Sequence, residues 1–168
     1  MFIQFWMVQR LTREIHDLQR QQVEVYNRLS NFQNYAGKLG GSSILNINNI
    51  AGLSSELLPR AAMFAQYSDQ ASSMSAMQNL QMMKMMGRVP YVGNPMQQYQ
   101  IEMSAFRQFK EEAMKAMKQQ EVRIMNEKEK EIQLELNSIE TRIKVKQAQL
   151  ESYKKSVSES AQNAAPQF

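Results

Sequence analysis

Residues 11–32 read LTREIHDLQRQQVEVYNRLSNF, with apolar side chains at Leu11, Ile15, Leu18, Val25, Leu29 and Phe32 and the polar Gln22 completing the series. Steps of three and four residues keep one narrow stripe on one side of an α-helix, and that stripe has to be buried against another helix. A second series of matching length returns near the end of the chain at Ile132, Leu136, Ile139, Ile143, Leu150, Tyr153 and Val157, with Lys146 as its polar member. Two such stripes predict an antiparallel coiled-coil pair. Two registers align the apolar layers. One sets Leu11 against Leu150 and Leu18 against Ile143. The other sets Leu18 against Leu150, Val25 against Ile143, Leu29 against Ile139 and Phe32 against Leu136. The second also brings Gln22 opposite Lys146, so neither polar group faces an aliphatic one, and it is the register the sequence favours.

Working outward, the pattern predicts a first helix over 1–36, ended by Gly37 and the Gly40-Gly41-Ser42-Ser43 cluster. An irregular insert follows over 37–58, mixing Asn with apolar residues in a way that fits a helical turn or an extended segment. A second helix is expected over 59–86, with Pro59 in its first turn and a stripe at Met63, Tyr67, Ala71, Met74, Met77 and Leu80. Residues 87–95 hold two Gly and two Pro and form a tip loop. The third helix, 96–158, runs for about 60 residues and so about 90 Å. Its first half carries Tyr99, Met103, Phe106, Ala113 and Met117. Between Ile124 and Ile132 the repeat slips by about four residues, a stutter that locally unwinds a coiled coil. The slip is expected where this helix changes partner. Residues 159–168 are small and polar, a tail expected to fray. The fold class is all-α, an elongated antiparallel helical hairpin of three helices.

Composition bounds the function. The chain has 168 residues, no Cys, 14 Met and a net charge of +4. The absence of Cys excludes disulfides, thiolate catalysis and Cys-ligated metals. Charges in residues 91–168 interleave, twelve Lys/Arg with eleven Asp/Glu. That is a solvated helix face; a nucleic-acid patch clusters one sign. The start, Met1 to Arg10, lacks the basic n-region of a signal peptide, and its apolar run is far short of the ~20 residues that span a bilayer. Localisation stays open between cytoplasm, virion and export with the N-terminus retained. Nucleic acid and membrane are not the expected partners.

Nothing in the sequence makes a catalytic set. His16 is the only histidine and its neighbours Glu14 and Asp17 face elsewhere on the helix, so it reads as a surface residue rather than a metal ligand. Glu111/Glu112 and Glu127/Glu129/Glu131 sit among Lys residues as surface ion pairs. No phosphate-binding glycine loop is present, and neither enzymatic activity nor a cofactor is expected. The unusual composition is the cluster Met74, Met77, Met82, Met83, Met85 and Met86. Met fills irregular gaps and lines adaptable binding surfaces. One reading packs the cluster against Met103, Phe106, Met114 and Met117. The other exposes Met82, Met83, Met85 and Met86, which surround Lys84 on most of the helix circumference. The same holds for Phe2, Ile3, Phe5, Trp6, Met7 and Val8, which cover all sides of the first turns. A hairpin buries only one of those sides, which predicts intermolecular contacts through Phe2, Phe5, Trp6 and the four Met.

The layout, with N- and C-terminal heptad helices paired at one end and an insert at the other, resembles flagellin-type and secretion-needle subunits. It is equally similar to phage scaffold and structural proteins. The resemblance covers the architecture of the whole chain and transfers no site residue. It implies a non-enzymatic subunit that self-assembles into a filament, appendage or virion part, as a homo-oligomer or polymer. The alternative is a coiled-coil chaperone or adaptor whose Met-rich tip takes apolar client segments. A third reading places nucleic acid or an anionic membrane on the Arg10/Arg13/Arg20/Arg28 side.

Overall fold

The structure, a computed structural model, describes residues 2–41, 50 and 52–164. Among the described residues three long helices stand out: α1 (Phe2–Gly40), α2 (Leu58–Met85) and α3 (Pro95–Ala164). The all-α expectation holds, with α3 packed on α1 and on α2. Two compact units divide the chain: Met1–Ser30 with Lys128–Phe168, and Asn31–Glu127. The division at 127/128 falls inside the predicted stutter. Buried positions run Met114, Glu121, Met125, Ile132, Leu136, Ile139 and Ile143, so the spacing shifts there while the helix itself continues. The expected change of partner therefore coincides with the shift.

In the first unit the two heptad stripes form the core. Leu11, Ile15, Leu18, Val25 and Leu29 are buried with Ile132, Leu136, Ile139 and Ile143. Each such side chain contributes about 1.5–3 kcal/mol relative to exposure. Gln22, Lys146, Leu150, Tyr153 and Val157 are half-buried. The pair is antiparallel, but the favoured register is wrong. Gln4 donates to Ser156 (3.1 Å), Gln22 to Glu140 (3.3 Å) and Arg28 to Glu135 (3.3 Å), while Lys146 pairs with Glu14 (2.7 Å). These contacts select the first register. Gln22 and Lys146 do not meet, because at the open flank of a two-helix seam a long polar side chain reaches a carboxylate beside it. Phe32 is not opposite Leu136 either; it packs in the second unit.

The second unit is built around Tyr35, Leu39, Ile50, Leu57, Ala61 and Met125, with Phe32, Phe64 and Val122 against them. Tyr35 and Leu39, both fully buried, carry α1 past the expected stop at 36. Gly37 lies exposed with open space around it and terminates nothing. The reading of residues 43–52 as a helical turn or an extended segment lies outside the described residues, apart from Ile50 and Gly52.

α2 presents the face opposite to the one expected. Ala61, Ser68, Ser72 and Ala76 are buried, whereas Met63, Tyr67, Met74 and Met77 are exposed. Small side chains let the helix backbone approach its neighbours closely. Ser68 and Ser72 donate to Ala65 O and Asp69 O, so their hydroxyls are satisfied within the helix. At its end Gly87, at φ +67°, follows the Met86 cap. Arg88 N–H reaches Met83 O and Gly87 N–H reaches Lys84 O, a Schellman motif that needs the left-handed residue. Asn94 then caps α3, its Oδ1 accepting from Met96 N–H, with Pro95 in the first turn. α3 continues to Ala164, beyond the expected frayed start of the tail. No Gly or Pro interrupts it before Pro166, and Ser158 and Ser160 donate back to Lys155 O and Ser156 O.

Candidate functional site

A polar cluster in the second unit was not foreseen. Glu121 is buried on α3 and accepts Arg60 Nε at 2.7 Å and Nη2 at 3.0 Å, a two-pronged pair, while Tyr35 Oη donates to the same carboxylate at 3.3 Å. Burial, reinforced by the Glu121 charge, pushes the Tyr35 hydroxyl well above the ordinary tyrosine range. The Glu121 pair holds Arg60 more firmly protonated. The cluster ties α1, α2 and α3 at one point. Its carboxylate is fully engaged, so it fixes structure and offers no free base. Gly37 hid the signal, since Tyr35 and Leu39 continue the three-four spacing only if the helix is read past it.

Elsewhere ionisable groups are paired in the same way. Lys84 reaches Glu102 (2.6 Å) and Lys110 reaches Asp69 (2.9 Å). Hydrogen bonds from Lys84 and Gln98 hold Glu102 below the usual carboxylate range, and those from Lys146 and Arg10 do so for Glu14. His16 is exposed, and the carboxylates of Glu14 and Asp17 accept from Arg10 and Arg20. Of the four arginines on the basic side, Arg10, Arg20 and Arg28 each sit on a carboxylate. A cleft of about 670 Å³ carries Arg107, Lys110, Lys115 and Lys118 against Asp69 and Glu111.

What stands open is apolar surface. Phe5 and Trp6 are more than half exposed and Ile3 is 80% exposed. Arg10 caps the Trp6 ring at 5.6 Å from its centroid. The Phe2 side chain lies outside the described residues. Of the Met tip, Met82, Met85 and Met86 are exposed and Met83 is half-buried. The packed reading of the cluster is thereby corrected: Met114 is buried and Met103, Phe106 and Met117 are half-buried, but Met74, Met77, Met82, Met85 and Met86 do not close over them. Tyr91, Met96 and Tyr99 add to the exposed set. Among the described residues no helix is long and apolar enough to cross a membrane. The chain matches no family model, no curated protein and no solved structure.

Proposed function

We infer that this chain is a non-enzymatic structural subunit that self-assembles through helical packing into a larger assembly. The observation that carries the reading is the exposure of Ile3, Phe5 and Trp6 in the first turns of α1. Contiguous apolar patches of this kind mark surfaces that another molecule covers. The paired arginines favour a protein partner over nucleic acid, since phosphate binding draws on cations free to exchange counterions.

Electron microscopy and sedimentation of the pure full chain test it. Large particles that grow with concentration are expected. Phe5→Ser with Trp6→Ser should shrink them while helix content by circular dichroism stays nearly unchanged; equal particle size for both proteins would count against the N-terminal contact. The chaperone or adaptor reading draws on exposed Met85 and Met86, a surface chemistry suited to varied apolar segments. It predicts a small, concentration-independent oligomer that suppresses aggregation of a second protein.

A further inference from the structure

The outward face of α2 consists of Met63, Tyr67, Gln70, Met74, Met77, Gln81 and Met85, at steps of four, three, four, three, four and four. Five of these are large apolar side chains, from 58% to 83% exposed. Only three residues of α2 are charged, and each is drawn off this face into a pair with α3: Arg60 with Glu121, Asp69 with Lys110 and Lys84 with Glu102. The seven positions of the face are therefore uncharged, five of them apolar and two Gln, while Arg60, Asp69 and Lys84 lean toward α3 and stay 42%, 60% and 44% exposed.

We propose that this face is a homotypic interface, on which α2 of a second copy lies antiparallel about a dyad at Met74. The proposal rests on the self-assembly reading and names its surface. A charge-free face meets a copy of itself without repulsion, and depletion of charge with enrichment of Met and Tyr marks interface centres. The spacing of the series is nearly symmetric about Met74. With Met74 at the centre, Met63 meets Met85, Tyr67 meets Gln81 and Gln70 lies near Met77, the reciprocal pairing of positions that a two-fold interface requires. A lipid surface is the poorer occupant, because helices that lie on membranes carry Lys and Arg along the polar side, and here those cations are held by carboxylates.

The chain has no native Cys, so single substitutions in the full chain read the geometry. Met74→Cys is expected to oxidise to a covalent dimer much faster than Met63→Cys or Met85→Cys alone. A mixture of the latter two should link to each other. Circular dichroism matching the wild type confirms that each variant is folded. If wild type assembles but Met74→Cys gives no covalent dimer, the α2 interface is wrong and self-assembly stands. If wild type sediments as a monomer up to millimolar concentration, both fail. If Met63→Cys and Met85→Cys each self-link as fast as Met74→Cys, the antiparallel order is wrong. If a dye on Met74→Cys stays in a monomer and responds only to zwitterionic vesicles, the face belongs to lipid and the second copy is excluded.

Discussion

Lys146 Nζ lies 2.7 Å from Glu14 Oε2, and the same Glu14 accepts from Arg10 Nε at 2.8 Å. This pair marks the register of the first unit, since it stands in place of the Gln22–Lys146 meeting that the sequence favours. The two registers differ by one heptad, about 10 Å along the helix. Leu11→Cys with Leu150→Cys is expected to close into an intramolecular disulfide. Leu18→Cys with Leu150→Cys should not, since its Cα atoms stand beyond the reach of the bond. Non-reducing electrophoresis with peptide mapping distinguishes them, and faster closure of the second pair would reinstate the rejected register.

Removing the Glu121 carboxylate leaves the Tyr35 hydroxyl buried without its acceptor and Arg60 without its partner. Glu121→Ala should cost about 2 kcal/mol, below the full penalty of a buried pair because the Arg60 side chain is 42% exposed. Glu121→Gln keeps an acceptor for Tyr35 and should cost less. Urea unfolding monitored by circular dichroism gives both values; an unchanged midpoint for Glu121→Ala would show the cluster to be ornamental.

Stability should fall at both ends of the pH range. Tyr35 is raised in the folded chain, so its contribution is complete below the ordinary tyrosine pKa of 10.0 and is lost as pH rises above it, where the unfolded chain ionises first. Phenolate absorbance in a pH titration should show Tyr35 resisting ionisation until the chain unfolds, and Tyr35→Phe should remove that step. Glu14 and Glu102 are lowered, so their contribution is present above about pH 4.5 and is lost as pH falls below it. Lys146→Met should flatten the acid limb.

The small-residue face of α2 makes an asymmetric prediction. Ala76→Leu inserts volume where the helix has no room and should destabilise by about 1–3 kcal/mol. Met74→Leu on the outward face should change stability by less than about 0.5 kcal/mol, and Met85→Glu with Met86→Glu by less than about 1 kcal/mol. Thermal unfolding at a concentration that keeps the chain dispersed separates the two faces. A large loss for the Met pair would return these side chains to the core.

The sequence by itself determined the helices and most of the first unit's core. Leu11, Ile15, Leu18, Val25 and Leu29, with Ile132 to Ile143, are buried where the three-four spacing puts them, because a stripe of large aliphatic side chains has one low-energy destination. The stutter also marked the division of α3. Tertiary structure alone decided the register, the rotation of α2 and the reach of α1. Register followed from Gln22 and Lys146 finding carboxylates beside the seam, a choice that depends on side-chain length and neighbours absent from any one-dimensional pattern. The rotation of α2 followed from Ala61, Ser68, Ser72 and Ala76 permitting close approach while Arg60, Asp69 and Lys84 were drawn to α3. Periodicity weighs hydrophobicity, so it chose the larger Met stripe, whereas packing chose the face that fitted the space. α1 ran through Gly37 because burial of Tyr35 and Leu39 outweighs the roughly 1 kcal/mol helix penalty of one glycine.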